Sequence, residues 1–148
     1  MSRFVPLAAV FAIGLFLSIL SGCGPAGPEV VPVTGVVTRG GKPVANLYLN
    51  FLPNDGRPSW GNTDENGKFT LHYSRTQEGA RVGSHKVWVN YKPQPKTPQE
   101  EMEWIRAGKK SGPPAEIDAI LKKFGEEGST PLKVEVKSDG VPVELKLD

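Results

Sequence analysis

The sequence predicts a mainly β protein: an antiparallel β-sandwich of about seven strands, with a two-helix excursion before a C-terminal hairpin. Two observations lead to this prediction. Apolar and polar side chains alternate over several short stretches, which is typical of strands with one buried face. Turn-forming glycine, proline and asparagine residues separate the stretches. Six or seven such strands cannot bury their apolar faces singly, so two packed sheets are expected.

The alternation predicts which side chains face the core. Before the excursion these are Val33, Gly35, Val37, Leu47, Leu49, Phe51, Phe69, Leu71, Tyr73, His85, Val87, Val89 and Tyr91. After it they are Leu132, Val134, Val136, Val141, Val143, Leu145 and Leu147. Ser138-Asp139-Gly140 separates the last two stretches and predicts a hairpin that joins them.

The alternation stops in residues 92–131, where two short helices are expected. Thr97-Pro98-Gln99-Glu100 has the pattern of a capping box with proline at the first helical position, which predicts a helix to about Arg106, ending near Gly108. A second helix is indicated by apolar residues that share one helical face, with Gly125 as its C-cap. Those residues are Ile117, Ile120, Leu121 and Phe124. Excursions of this length in compact domains are often functional.

The N-terminus has the order of an export signal. Arg3 supplies a positive charge, residues 4–20 are almost wholly apolar, and small residues precede Cys23. The apolar run is slightly shorter than the roughly 20 residues of a spanning helix. The alternatives are an uncleaved membrane anchor, or a chance cysteine behind an ordinary signal peptide.

Leu20-Ser21-Gly22-Cys23 resembles the bacterial lipoprotein signal. The resemblance implies that residues 1–22 are a signal peptide removed before Cys23, whose thiol then carries diacylglycerol with fatty acyl chains such as palmitate. Residues 23–32, rich in glycine and proline, would form a tether, and residues 33–148 the domain. Gly24, where some lipoproteins have aspartate, fits transport to the outer membrane of a double-membraned bacterium.

Three further segments resemble carboxypeptidase regulatory-like, transthyretin-like domains. They are Val33-Thr34-Gly35-Val36-Val37, Thr63-Asp64-Glu65-Asn66-Gly67-Lys68-Phe69 and Gly83-Ser84-His85-Lys86-Val87-Trp88-Val89. The resemblance implies a transthyretin-like or immunoglobulin-like β-sandwich of the kind found as an accessory module and in surface proteins. It implies no peptidase activity, because the sequence has no zinc peptidase domain. Asp64 and Gly67 would serve a structural turn, and Gly35 a close approach of two chain segments.

Composition argues against several function classes. The 148 residues carry a formal net charge of +2, which gives no reason to expect a nucleic-acid partner. With its one cysteine acylated, the chain would have neither a disulfide nor a thiol nucleophile. The two histidines, His72 and His85, fall on opposite faces by strand parity, so no shared metal site is expected. We therefore expect no catalytic residues, no cofactor and no enzyme activity.

Asp64-Glu65-Asn66-Gly67 offers oxygen atoms that calcium would accept. However, the segment lacks the spaced ligands of a calcium loop, and turn chemistry explains each of its residues. A hairpin turn is the preferred interpretation, and a calcium site the alternative.

The three tryptophans are the candidate binding residues. Trp60 is expected to be exposed in a loop over residues 54–62, and Trp104 lies in the first predicted helix. Trp88 lies on the non-core face of its strand, where Ile105, Ile117 or Phe124 would bury it. The preferred function is a non-catalytic interaction or structural module on the extracytoplasmic side of a bacterial envelope, with an envelope protein as partner. The alternative is a carbohydrate-binding module that stacks polysaccharide on exposed tryptophans.

Overall fold

The computed structural model describes residues 27–93, 95, 97–106, 108 and 112–148. Within these ranges the chain forms ten strands and two helices. The strands are β1 (Val30–Val31), β2 (Thr34–Arg39), β3 (Lys42–Pro43), β4 (Leu47–Pro53), β5 (Ser59–Asn62), β6 (Lys68–Thr70), β7 (Ala80–Arg81), β8 (Gly83–Tyr91), β9 (Lys133–Val136) and β10 (Val143–Lys146). The helices are α1 (Pro98–Arg106) and α2 (Ala115–Phe124). The prediction of a mainly β protein with two helices is confirmed.

The strands form two four-stranded sheets and a two-stranded ribbon. In the first sheet, β10 pairs parallel to β2 on one side, and β3 and β6 pair antiparallel to β2 on the other. The second sheet has the order β5-β4-β8-β9 and is antiparallel throughout. The ribbon joins β1 to β7. The expectation of purely antiparallel pairing is therefore wrong for β10.

Both four-stranded sheets contribute to one buried core. Along β4 buried and half-buried residues alternate strictly, and the Phe51 ring lies 6.0 Å from the Phe69 ring of the other sheet. The predicted core positions found buried are Val33, Val37, Leu47, Leu49, Phe51, Phe69, Leu71, His85, Val87, Val89, Val136, Leu145 and Leu147. Val141 is 65% exposed, and the other predicted positions are half-buried: Gly35, Tyr73, Tyr91, Leu132, Val134 and Val143.

The predicted C-terminal hairpin does not form. Residues 138 and 139 do turn, but β9 pairs with β8 and β10 pairs with β2, so the two strands belong to different sheets. The reason is that alternation reports which face of a strand is buried and not which strand lies beside it. The same alternation is therefore compatible with a hairpin and with two edge strands in different sheets.

The sheet structure also begins earlier than expected and contains more strands. Val30–Val31 lie inside the segment 23–32 that was predicted as a tether, yet they pair with Ala80–Arg81. Ten strands replace the expected seven because short pieces such as β3 and β7 are only two residues long. Such pieces are too short to produce a visible alternation in the sequence.

Both helices begin and end close to their predicted residues. The Thr97 hydroxyl accepts a hydrogen bond from the Glu100 backbone N–H at 3.1 Å, which is the expected N-cap of α1. Gly125 is the C-cap of α2, and its N–H donates to the Leu121 carbonyl. Helix α2 packs on β8 and buries Ile120 and Phe124 in the core. The helix thereby covers part of the core that the strands leave open.

The segment 64–67 is a structural turn, as predicted. One carboxylate oxygen of Asp64 accepts hydrogen bonds from the backbone N–H groups of Asn66 and Lys68, both at 2.8 Å. Gly67 has a φ of 70°, and a Cβ there would lie 2.5 Å from the Val37 carbonyl oxygen. Glycine therefore satisfies both the backbone angle and the close approach of β2.

Replacement of Asp64 by alanine is expected to destabilise the protein by about 1 kcal/mol, because two backbone N–H groups lose their acceptor. Asp64→Asn retains a side-chain oxygen and should recover part of this loss. Urea denaturation of the two variants measures both effects. If the alternative calcium interpretation is correct instead, millimolar calcium will raise the melting temperature of the wild type but not of Asp64→Ala.

Candidate binding face

The outer face of the second sheet carries aromatic and amide side chains on three adjacent strands. Two cross-strand rows follow from the pairing register, one of Trp60, Asn50 and Trp88 and the next of Asn62, Tyr48 and Asn90. Asn90 is exposed and the other five are half-buried. We call these six residues the aromatic–amide face. On each strand, the residues before and after these six point into the core. Packing of the core therefore holds the backbone that carries the face.

Trp60 lies in a stack of rings. Its ring centroid is 4.8 Å from that of His72 and 6.2 Å from that of Tyr48, with interplanar angles of 29° and 13°. The Lys92 ammonium lies 4.9 Å from the Tyr48 centroid, and burial raises the pKa of the Tyr48 hydroxyl. The expectation that Trp60 is exposed in a loop is wrong, because the residue belongs to β5 and its ring faces are flanked by other rings.

Trp88 was expected to be buried under residues of the excursion. It is instead half-buried, while Ile117 and Phe124 pack with the core and Ile105 is 57% exposed. The reason is that α2 directs its apolar side into the core, and not over the outer face of β8. Among the described residues no other ring stacks on Trp88, so its indole is the ring of this face best placed to receive a ligand.

The amide side chains are held in defined positions. The Asn50 Nδ2 group donates to Asn90 Oδ1 at 3.0 Å and approaches the Trp88 carbonyl oxygen at 3.5 Å. Asn90 therefore uses its side-chain oxygen within the sheet. Its NH2 group makes no hydrogen bond to the described residues and is available to an acceptor from outside.

An open groove of about 690 Å³ adjoins the ring stack. Its polar lining residues are Thr34, Asn62, Asp64, Lys68, Thr70 and His72. Asn62 belongs to the aromatic–amide face, and His72 to the stack beside it. The face and the groove therefore meet at Asn62, and the groove adds hydroxyl groups, a carboxylate and an ammonium group to the rings and amides.

The two histidines lie apart, as their strand parity predicts. His72 stacks on Trp60 at the outer face, whereas His85 is 1% exposed and its ring lies 6.1 Å from that of Phe51. His85 Nδ1 is 2.9 Å from the Gly83 carbonyl oxygen. Burial lowers the pKa of His85, an effect that the Gly83 hydrogen bond partly opposes. His85 is therefore a neutral core residue that donates to the backbone.

Protonation of His85 is expected to make stability depend on pH. Because its pKa in the folded protein lies below the ordinary value of 6.5, the unfolded chain binds the proton first as the pH falls. The stabilising contribution is therefore complete above about pH 6.5 and is lost progressively at lower pH. Urea denaturation between about pH 7.5 and 5 should show a larger loss for the wild type than for His85→Phe. Equal losses would contradict this assignment.

Two predicted site residues lie beyond these observations. Cys23 is outside the described residues, and the side chain of Trp104 is likewise not described, although Trp104 belongs to α1. In the described part of the chain no three His, Cys, Asp or Glu residues cluster as metal ligands do. In the same part no helix is long and apolar enough to cross a bilayer.

Sequence reasoning identified Trp60 and Trp88 but missed their surroundings. Tyr48, Asn50 and Asn90 were not among the candidate binding residues. The available signal was the presence of aromatic and amide residues at outward positions of neighbouring strands, but the strand order needed to bring them together was unknown.

Comparison of the chain with protein-family models, curated proteins and solved structures finds no match to any of them.

Proposed function

We propose that this protein is a non-catalytic binding module of a bacterial cell envelope, anchored through an acylated Cys23, with the aromatic–amide face as its contact surface. The observation that carries the proposal is the placement of two tryptophans and a tyrosine on one outer sheet face. Half-buried aromatic side chains of this kind are enriched at binding hot spots, where rigid rings contribute contact area at little entropic cost.

The remaining chemistry of the chain fits a binding role. The buried titratable side chain His85 is committed to the core and to the Gly83 carbonyl, away from the outer face. Asp64 is likewise committed to the backbone of its own turn. The polar groups of the aromatic–amide face are three amides, two indole N–H groups and the Tyr48 hydroxyl, which recognise a partner by hydrogen bonding.

We further propose that the two four-stranded sheets form a transthyretin-like β-sandwich. The core shared by both sheets supports this arrangement, as does the contact of Phe51 with Phe69 between them. Such a sandwich would expose the outer face of each sheet to solvent, so that the second sheet presents the aromatic–amide face to the surroundings.

Carbohydrate binding is the second candidate, and it is favoured by the combination of Trp88 with Asn90. A sugar ring packs on an aromatic face that is not already stacked, and its hydroxyl groups accept hydrogen bonds from an amide NH2. Trp88 meets the first condition and Asn90 the second. Trp60 does not meet the first condition, because His72 and Tyr48 flank its ring.

Photo-crosslinking in living cells tests the contact surface. A photoreactive residue at Asn90 should give a discrete protein adduct, whereas the same residue at Lys146, exposed on the other sheet, should give none. Trp88→Ala should reduce the Asn90 adduct about tenfold, which corresponds to a hot-spot loss of about 1.4 kcal/mol. Adducts with polysaccharide alone would favour carbohydrate binding. Equal adducts at Asn90 and Lys146, or none at either, would contradict the proposal.

The lipid anchor is tested by Cys23→Ser. We expect this variant to keep the mass of the unprocessed, unacylated chain, because serine lacks the thiol that receives the diacylglycerol. Cys23→Ala is the matched control and should behave in the same way. A mass equal to that of the wild type in both variants would contradict acylation at Cys23.

A further inference from the structure

The described chain enters the fold at one end of the second sheet. The Glu29 carbonyl oxygen accepts a hydrogen bond from the Val82 N–H at 3.1 Å, and Val30 pairs with Arg81. Val82 directly precedes Gly83, the first residue of β8. We call the end of the molecule that contains the start of β8 the tether end.

The connection between β9 and β10 lies at the same end. Val136 at the end of β9 pairs with Gly83, and Val143 at the start of β10 pairs with Gly35 near the start of β2. The residues between these two strands therefore lie near the tether end. Val141, in this connection, is 65% exposed, and Val82 is 37% exposed.

The opposite end of the molecule contains the end of β2 and the start of α2. Arg39 Nη1 donates to the Glu116 carbonyl oxygen at 2.6 Å, and the Lys92 N–H donates to the Asn46 carbonyl oxygen just beyond β8. β8 has nine residues, and a strand of that length spans about 27 Å. The two ends are therefore separated by roughly the length of the sheet.

The chain between the proposed anchor and the fold is short. From Cys23 to Glu29 a fully extended chain reaches at most about 22 Å. This length is less than the length of β8, so the molecule cannot stand inverted, with its far end on the bilayer and its tether end about 27 Å above it. A short tether also keeps the tether end at high effective concentration near the lipid, so that a weak contact suffices.

We propose that the tether end lies on the lipid surface, with Val82 and Val141 as its contact residues. This inference rests on the proposed acylation of Cys23. Apolar side chains that protrude beside a lipid anchor add buried apolar area at the membrane interface, which strengthens an anchored state. In this orientation the strands of the second sheet run away from the bilayer, and the aromatic–amide face lies on the side of the molecule. The end that contains the start of α2 is farthest from the bilayer.

The test is photo-crosslinking of the full chain in bacterial membranes. A benzophenone residue is placed at Val82, at Val141 or at Ala115, and lipid adducts are measured by intact mass. Ala115 is the matched control, since it is a small apolar residue exposed at the first position of α2. We expect lipid adducts at Val82 and Val141 to exceed those at Ala115 by about tenfold or more, consistent with the effective-concentration gain of a tethered contact.

The same mass spectra separate this inference from the anchor itself. An acylated chain with equal lipid adducts at Val141 and Ala115, or with none at Val82 and Val141, overturns the inference and leaves the anchor standing. A chain without acylation overturns both.

Discussion

Gly35→Ala is expected to destabilise the protein by about 3 kcal/mol or more, because the added methyl group has no room. A Cβ at residue 35 would lie 2.1 Å from the Val143 carbonyl oxygen and 2.6 Å from the end of the Phe69 ring. The first of these atoms is backbone in β10, the parallel neighbour of β2. It cannot move away without breaking the pairing that holds the last strand in the sheet.

Gly128→Ala is the matched control for this prediction. A Cβ at residue 128 meets no atom within 4 Å, and the residue is exposed. Its stability should therefore stay within about 0.5 kcal/mol of the wild type. Urea denaturation followed by circular dichroism measures both variants. If Gly35→Ala unfolds at the same urea concentration as Gly128→Ala, the close packing of β2, β6 and β10 is contradicted.

Phe51→Ala is expected to destabilise the protein by about 3–5 kcal/mol. The Phe51 side chain is fully buried, lies on the central strand β4, and contacts Phe69 and His85. Its removal leaves a cavity between the two sheets, because the surrounding structure relaxes only partially. Total stabilities of single domains are about 5–15 kcal/mol, so this variant should be partly unfolded at moderate temperature.

Leu52→Ala on the same strand provides the comparison. Leu52 is half-buried on the opposite face, so its truncation removes less contact and creates no enclosed cavity. We expect a loss of less than half that of Phe51→Ala, measured as the shift in the urea midpoint. A larger effect at Leu52 than at Phe51 would mean that the outer face, and not the shared core, supplies the stability.

Local patterns predicted many of the elements correctly. The period of two along residues 47–51 and 85–89 identified the buried side chains, because a half-buried strand must direct its apolar residues to one side. The Thr97 cap and the Gly125 cap also followed from sequence, since capping depends on atoms within a few residues of each other. The close approach expected at Gly35 was visible as a glycine within a strand pattern.

The errors arose where the outcome depends on partners distant in the sequence. Strands β9 and β10 were expected to pair with each other, and each pairs with a different sheet. Trp60 was expected in a loop. It instead pairs with β4 and forms a β-bridge with His72, which places it in a stack of rings. Strand β1 was missed because two residues, Val30 and Val31, carry no detectable period.

The sequence by itself determined the β-rich class, the buried faces of the strands, both helix caps and the turn at Asp64 and Gly67, since each depends on interactions between near neighbours. The tertiary structure alone decided which strands lie side by side. It thereby brought Trp60, Asn50 and Trp88 into one row and placed Val82 and Val141 at the end where the described chain enters the fold. Both results depend on the strand order. Burial of an apolar face determines which side of a strand points into the core, whereas packing between strands determines which strands lie side by side.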